Sequence, residues 1–326
     1  MSPEAGVSSS IDVNEFDPAH FARGSKHRGL LAIDSELNFP ILLVRGEWAG
    51  PTLVVSANVH GDEYEGVRAI FETFEELRPE LMAGELLAVP VVNVPAFWSG
   101  TRNSPLDGAN LARVFPGDPG GTPSQRLAWH FGRSILARAS FYLDLHSGGV
   151  QFRMPGMAGY PSADPRSRAA AEVFGASVIW GHPAVASGRT VSLANDLGIP
   201  WIYTEARGGG RIHPEDLQMM KRGIRNLLSH LGILDEPLVG LPVKRRLSGG
   251  GNTDCGLSAT RAGFLMTDVQ ILDRVSAGER LGRLVNVMGE LLEEYRAPVG
   301  GVVGLIREFP VVQNGDVLFL LAEEQS

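Results

Sequence analysis

The run Thr52-Leu-Val-Val-Ser-Ala-Asn-Val-His60-Gly-Asp-Glu63 ends an apolar, β-branched stretch in a histidine, with a carboxylate three residues later. The same grammar returns in Ser140-Phe-Tyr-Leu-Asp-Leu-His146-Ser-Gly-Gly. Two imidazoles and one carboxylate at strand ends are the donor set of an open catalytic zinc site, which leaves a fourth position for water. His60, Glu63 and His146 are therefore the expected ligands of one Zn²⁺ per chain. Asp144 precedes the third ligand within a strand and is expected to be structural.

Two more segments carry polar groups just past expected strands. One is Asn93 to Gly117, which holds Arg102, Asp107, Asn110 and Arg113; the other is Thr204-Glu205-Ala-Arg207-Gly-Gly-Gly. In open α/β sheets ligands bind outside the carboxyl ends of the strands, so all four segments are expected on one rim. Glu205 is the expected base: a carboxylate beside metal-activated water can take its proton and return it to a leaving amine. The bland reading is a salt-bridge partner of Arg207 or Arg211. Arginine forks recognise carboxylates and stabilise oxyanions, and for Arg102 and Arg113 the bland reading is pairing with Asp107 or Asp118. His20, His27, His130, His182, His213 and His230 have no such context and are expected at surface or helix positions.

The elements that must position these groups follow from the apolar pattern. Strands are expected at Phe39–Val44, Leu53–Ala57, Leu86–Asn93, Phe141–Leu145, Ser177–Trp180 and Trp201–Thr204. Helices are expected at Glu65–Leu77, Ser124–Ala139, Ser167–Phe174, Thr190–Leu197 and Pro214–Leu231. Val67, Ile70, Phe71 and Phe74 give the first helix the stripe of one that packs on a sheet. The alternation specifies an α/β fold with a mostly parallel, mixed sheet flanked by helices. Residues 1 to about 25 read as an irregular arm. After Gly240 short β-rich segments separated by glycine turns take over, so the chain divides into a catalytic part, 1–240, and a small all-β barrel-like module, 241–326. Gly249-Gly-Gly-Asn-Thr-Asp254 lies near that boundary as linker or turn.

Bulk properties narrow the class. The 326 residues suffice for two ordinary domains, 44% of them are hydrophobic, and the formal net charge of −8 is spread along the chain. That argues against nucleic acid, which calls for a clustered basic face. No apolar run approaches the length of a membrane span. The first ten residues lack a basic and apolar leader, and the single cysteine, Cys255, excludes an internal disulfide framework. A cytoplasmic enzyme is expected.

Taken together, His60-Gly-Asp-Glu63, Arg102 to Gly117, Asp144-Leu-His146-Ser-Gly-Gly and Glu205 resemble the succinylglutamate desuccinylase/aspartoacylase family of the zinc carboxypeptidase superfamily. Asn58-Val-His-Gly-Asp-Glu-Tyr-Glu-Gly66 and Asp107-Gly-Ala-Asn-Leu-Ala-Arg-Val-Phe-Pro-Gly117 look most like its Nα-acetyl-L-2,4-diaminobutyrate deacetylase branch. The resemblance implies zinc on His60, Glu63 and His146, Glu205 as base, Arg102 polarising the scissile carbonyl, and Arg113 with Asn110 at the substrate. The partner implied is a small N-acylated amino acid. One position departs: where the family has an asparagine beside the arginine, this chain has Ala112, so one polar contact to the substrate is missing or supplied elsewhere. The C-terminal module resembles a biotinyl/lipoyl-like barrel, but Arg296-Ala-Pro-Val-Gly-Gly-Val-Val offers no lysine for a covalent cofactor. A lid, a packing partner or a homo-oligomer contact are the roles open to it. The alternatives to a deacylase are a metallocarboxypeptidase for short peptides and a zinc-binding protein without catalysis.

Overall fold

The computed structural model describes residues 10–325; the first nine residues of the expected arm lie outside them. In chain order the strands of the first part are β1 (Ser10–Asp12), β2 (Ser25–Ala32), β3 (Asn38–Arg45), β4 (Trp48–Ala57), β5 (Ala83–Val89), β6 (Phe141–Ser147), β7 (Phe152–Arg153), β8 (Met157–Pro161), β9 (Val178–His182) and β10 (Trp201–Ala206). The helices are α1 (Glu65–Glu76), α2 (Val94–Ser99), α3 (Pro123–His130), α4 (Pro165–Phe174), α5 (Thr190–Asp196) and α6 (Pro214–His230). The remaining strands are β11 (Arg245–Ser248), β12 (Leu257–Ser258), β13 (Gly263–Thr267), β14 (Arg274–Val275), β15 (Arg280–Val285), β16 (Leu291–Arg296), β17 (Gly301–Arg307), β18 (Val311–Val312) and β19 (Val317–Glu324).

The main sheet runs β1-β2-β3-β5-β4-β6-β10-β8-β9-β11-β19-β17-β14. Its centre, β5-β4-β6-β10, is parallel, and so is β8-β9-β11; β8 enters antiparallel to β10. Each side of the sheet buries its own core. One side packs Val67, Ile70 and Phe74 of α1 and Met220, Ile224 and Leu227 of α6 against Leu53, Val55, Leu143 and Leu145. The other packs Leu127, Phe131 and Ile135 against Val54, Leu87, Tyr142 and Trp201. A strand buried on both faces reads as a continuous apolar run, as Phe141–Leu145 does.

The expected elements are present with shifted ends. The strand expected to reach Asn93 stops at Val89, because Pro90 has no N–H to donate to a ladder. The helix expected over Ser124–Ala139 is α only to His130, then widens into a π turn and tightens to a 3₁₀ turn that ends at Arg138. Within the expected irregular arm, Ser10–Asp12 pairs parallel with Leu30–Ala32.

From Arg245 onward the described chain forms only strands and one 3₁₀ turn, Thr253–Cys255. These strands do not make a detached sheet. β11 lies between β9 and β19, and β7 pairs with β17, so backbone hydrogen bonds join the late strands to the sheet that carries the site. A second, four-stranded sheet, β16-β15-β13-β18, packs over them around Phe319, Leu281 and Leu284.

Candidate active site

Sheet register builds the site. In the parallel pair β10/β6, Glu205 stands opposite His146 and Tyr203 opposite Asp144; in β4/β6, Ser56 stands opposite Asp144. Side chains two apart on a strand share a face, so Asp144 and His146 point the same way, as do Tyr203 and Glu205. His146 and Glu205 therefore sit inside the last turns of their strands rather than beyond them.

The His60–Glu63 half of the site hangs on the turn after β4. Asn58 takes a left-handed backbone, φ 57°, a conformation that asparagine tolerates better than most residues. Its Nδ2 donates to the Glu63 carbonyl at 2.8 Å, which closes the turn. Gly61 passes so close to α2 that a Cβ there would lie 2.1 Å from the Ala96 carbonyl carbon. Asp62 Oδ2 accepts from Val150 N at 2.9 Å, tying this turn to the loop after His146.

The three expected ligands converge. His60 Nδ1 lies 2.7 Å from Glu63 Oε1, and His146 Nδ1 lies 2.9 Å from Glu63 Oε2. One donor atom from each residue falls within 4.8 Å of the others. The far nitrogens are also occupied: His146 Nε2 lies 3.0 Å from Asp144 Oδ2, and His60 Nε2 lies 3.2 Å from Asn110 Oδ1. Ser56 Oγ donates to Asp144 Oδ1 at 2.7 Å, and Thr190 Oγ1 donates to Oδ2. Carboxylate or amide oxygens behind ligand imidazoles fix their tautomer.

That arrangement fits a cation. Asn110 Oδ1 also accepts from Ala112 N at 2.9 Å, so the amide cannot turn its NH₂ toward His60. Burial and the Arg102 charge push His60 down to about 4, so the ring is neutral and has one N–H for two oxygens. If Nε2–H serves Asn110, the Nδ1 lone pair faces a carboxylate oxygen. A metal ion between them resolves that contact, and two imidazoles with a carboxylate suit zinc. Burial pushes Glu63 up, but the two imidazoles outweigh it and hold the carboxyl well below the usual range. Burial likewise opposes charge on His146, yet Asp144 and Glu63 together raise it well above the ordinary imidazole value.

Glu205 lines the same pocket with its Oε2 buried and without a hydrogen-bond partner. The salt-bridge reading does not hold: among the described residues Glu205 forms no ion pair with Arg207 or Arg211, and Arg207 pairs with Glu215 at 3.0 Å. Burial, opposed by His146 and aided by the Glu63 charge, pushes Glu205 up to about 8. Arg102 donates to Glu63 Oε1 at 3.3 Å and stacks over the Phe152 ring, 5.7 Å from its centroid; Arg307 covers the other part of that ring at 5.6 Å. Asp107 serves Ser124 instead of either arginine.

Two residues depart from expectation. Arg113 lines the pocket, but its guanidinium is forked onto Asp254, with Nε–Oδ2 at 3.0 Å and Nη2–Oδ1 at 2.8 Å. His182, expected at a surface or helix position, is buried at the end of β9 and lines the pocket. Its Nδ1–H donates to the Gly249 carbonyl at 3.0 Å, and Tyr203 O–H donates to its Nε2 at 2.9 Å. The signal was present: Ser177-Val-Ile-Trp-Gly-His182 is another apolar run that ends in a histidine. Arg189, half-buried on the same wall, was not singled out either.

The fold and the converging site define a class. The succinylglutamate desuccinylase/aspartoacylase catalytic domain matches residues 49–231, and the chain belongs to that family. It is an amide-bond hydrolase of the N-acyl amino acid deacylase type. Over 301 residues it is 34% identical to N-alpha-acetyl-L-2,4-diaminobutyric acid deacetylase of Halomonas elongata, covering 87% of this chain and 85% of that protein. A succinylglutamate desuccinylase structure from Silicibacter sp. TM1040 superposes with a TM-score of 0.85 at 28% identity, covering 94% of this chain and 97% of the other. The product-bound ectoine utilization protein EutE from Ruegeria pomeroyi gives 0.84 at 28%, covering 93% and 96%.

Proposed function

We propose that the protein hydrolyses the amide of an N-acylated amino acid with one zinc ion held by His60, Glu63 and His146. One observation carries this reading: Glu205, a part-buried carboxylate whose buried Oε2 has no hydrogen-bond partner among the described residues, stands in register beside His146 on the face where the two imidazoles and Glu63 meet. A zinc ion there supplies Lewis acidity toward water and toward the scissile carbonyl. Glu205 then accepts the proton of the attacking water at a carboxylate oxygen and delivers it to the departing amine nitrogen. Arg102, oriented by Glu63 and the Phe152 ring, directs its remaining N–H groups at the carbonyl oxygen as it gains charge. Asp144 and Asn110 hold the imidazoles with Nδ1 facing inward. Met154, Val185, Val191 and Trp201 give the pocket apolar walls, and Gly250 to Thr253 complete its lining. Nα-acetyl-L-2,4-diaminobutyrate is the first compound to test.

Metal analysis of the purified chain should find about one zinc per chain. Chelation should abolish hydrolysis of acetyl amino acids, and added zinc should restore it. Chelator-resistant turnover, or cleavage of peptides alone, would refute the proposal.

A further inference from the structure

Residues 249–254 follow β11 as a strap whose Gly250 to Thr253 line the pocket, with Asp254 next in the chain. A Cβ on Gly251 would lie 2.3 Å from His182 Cε1, and its φ is +57°, so glycine is what lets the strap rest on that ring. Laid there, the strap brings Asn252 Oδ1 to 2.7 Å from Arg189 Nη2. It also delivers the Asp254 carboxylate to Arg113 as the two-point fork described above, with Arg189 Nη2 3.6 Å from Asp254 Oδ2. Thr253 Oγ1 and the Ala112 carbonyl take two further Arg113 donors, at 3.3 and 2.9 Å. A guanidinium has five N–H groups, so the fork and these two bonds leave Arg113 too few to grip a substrate carboxylate in bidentate fashion.

The chain thus supplies its own carboxylate where two arginines would otherwise offer a second anion site. Asp254 is ionised there: its hydrogen bonds to Arg113 hold its carboxyl below the usual range, opposed by modest burial and aided by the Arg113, Arg189 and Arg102 charges. Its side chain remains 55% exposed, and a carboxylate has about four lone-pair positions, of which the fork uses two. We propose that Asp254 determines the side-chain charge this enzyme accepts, admitting N-acyl amino acids with an ammonium side chain and excluding those with a second carboxylate. The inference rests on the N-acyl amino acid hydrolase reading above. An incoming second carboxylate must break the fork or sit against Asp254, and like charges at a binding site cost several kcal/mol. An ammonium group meets the free lone pairs. Discrimination comes from the repulsive element, not only from the attractive one.

The test compares kcat/KM of the full-length, zinc-loaded enzyme for Nα-acetyl-L-2,4-diaminobutyrate and N-acetyl-L-glutamate, whose side chains carry an ammonium and a carboxylate, respectively, on the same two methylenes. Wild type should favour the ammonium substrate, and in Asp254→Asn and Asp254→Ala the ratio should fall on the order of 10-fold or more, N-acetyl-L-glutamate gaining in absolute terms. A ratio that stays within about twofold in both variants, or a wild type that prefers the glutamate derivative, overturns the assignment. Calorimetry of L-2,4-diaminobutyrate and L-glutamate binding to the same proteins gives a second readout that needs no turnover. If no variant hydrolyses any acyl amino acid, the hydrolase reading falls. The binding preference then decides for or against Asp254 alone: a wild-type preference for L-2,4-diaminobutyrate that both variants lose supports it, and any other pattern rejects it.

Discussion

Replacing Glu205 by Gln separates its chemical role from its cost to the fold. The amide keeps the volume but cannot take a proton, so kcat/KM should fall on the order of 10²- to 10⁴-fold, with bound zinc unchanged because Glu205 is not among the three ligands. Stability of the metal-free protein should move the other way. The folded carboxyl is raised from 4.5 to about 8, so its contribution is complete below about pH 4.5 and is lost as pH rises toward 8. At about 1.36 kcal/mol per pKa unit the full shift sets a ceiling near 5 kcal/mol. Glu205 opens onto the pocket, where water screens it, so a gain of about 1 to 2 kcal/mol for the variant at pH 8 is the realistic expectation. For a chain of this size that is about 2 to 4 °C in Tm. Denaturation scans of chelated wild type and variant at pH 5 and pH 8 read it directly, beside zinc analysis and kinetics of the loaded enzymes. Two results would refute the reasoning. A variant with more than about a tenth of wild-type kcat/KM places the base elsewhere. A Tm difference that is the same at both pH values means that Glu205 is not held as a buried acid.

Two further perturbations probe the supporting residues. Asp144→Asn keeps the shape but replaces a carboxylate behind His146 with an amide, and zinc affinity should weaken about 10- to 100-fold; competition with a chromophoric chelator measures it, and an unchanged affinity would show that Asp144 does not set the His146 tautomer. Phe152→Ala removes the ring that Arg102 and Arg307 share, which should destabilise the fold by about 3 kcal/mol or more. It should also lower kcat/KM by roughly tenfold through Arg102, and in a double-mutant cycle the loss should not add to that of Arg102→Ala; full additivity would show that the ring does not position the arginine.

The positions of His60, His146 and Glu205 were legible because each ends an apolar run, and a run that must be buried on both faces leaves little doubt about where its strand lies. His60, His146 and Glu205 need only their own strands and the rule that ligands gather at the carboxyl ends. Elements that break this pattern were not legible. β8, Met157-Ala-Gly-Tyr-Pro, has small residues and a proline, and it lies between β10, to which it is antiparallel, and β9, to which it is parallel, where tertiary pairing overrides weak strand propensity. β2 opens with Ser25-Lys-His-Arg and pairs between β1 and β3 near the sheet margin, where half-exposed polar positions hide the alternation. The place of Glu205 at the end of β10 was legible too, but that Arg207 turns away from it to Glu215 needs the coordinates.

The same contrast separates reaction from specificity. His146 and Glu205 come from neighbouring strands in fixed register, and His60 and Glu63 from the turn after β4, so the order of strands determines their geometry, and a one-residue slip would turn His146 to the opposite face. The groups that decide which substrate enters come from segments far apart in sequence: Arg113 before α3, Arg189 at the entry to α5, and Asp254 beyond β11. No local pattern links residues 113 and 254; their contact exists because β11 is inserted beside β9 and sends the next turn over His182. Ala112 joins the metal site to the rim through backbone groups that any residue there would offer: its N–H orients Asn110 behind His60, and its carbonyl helps hold Arg113 toward Asp254.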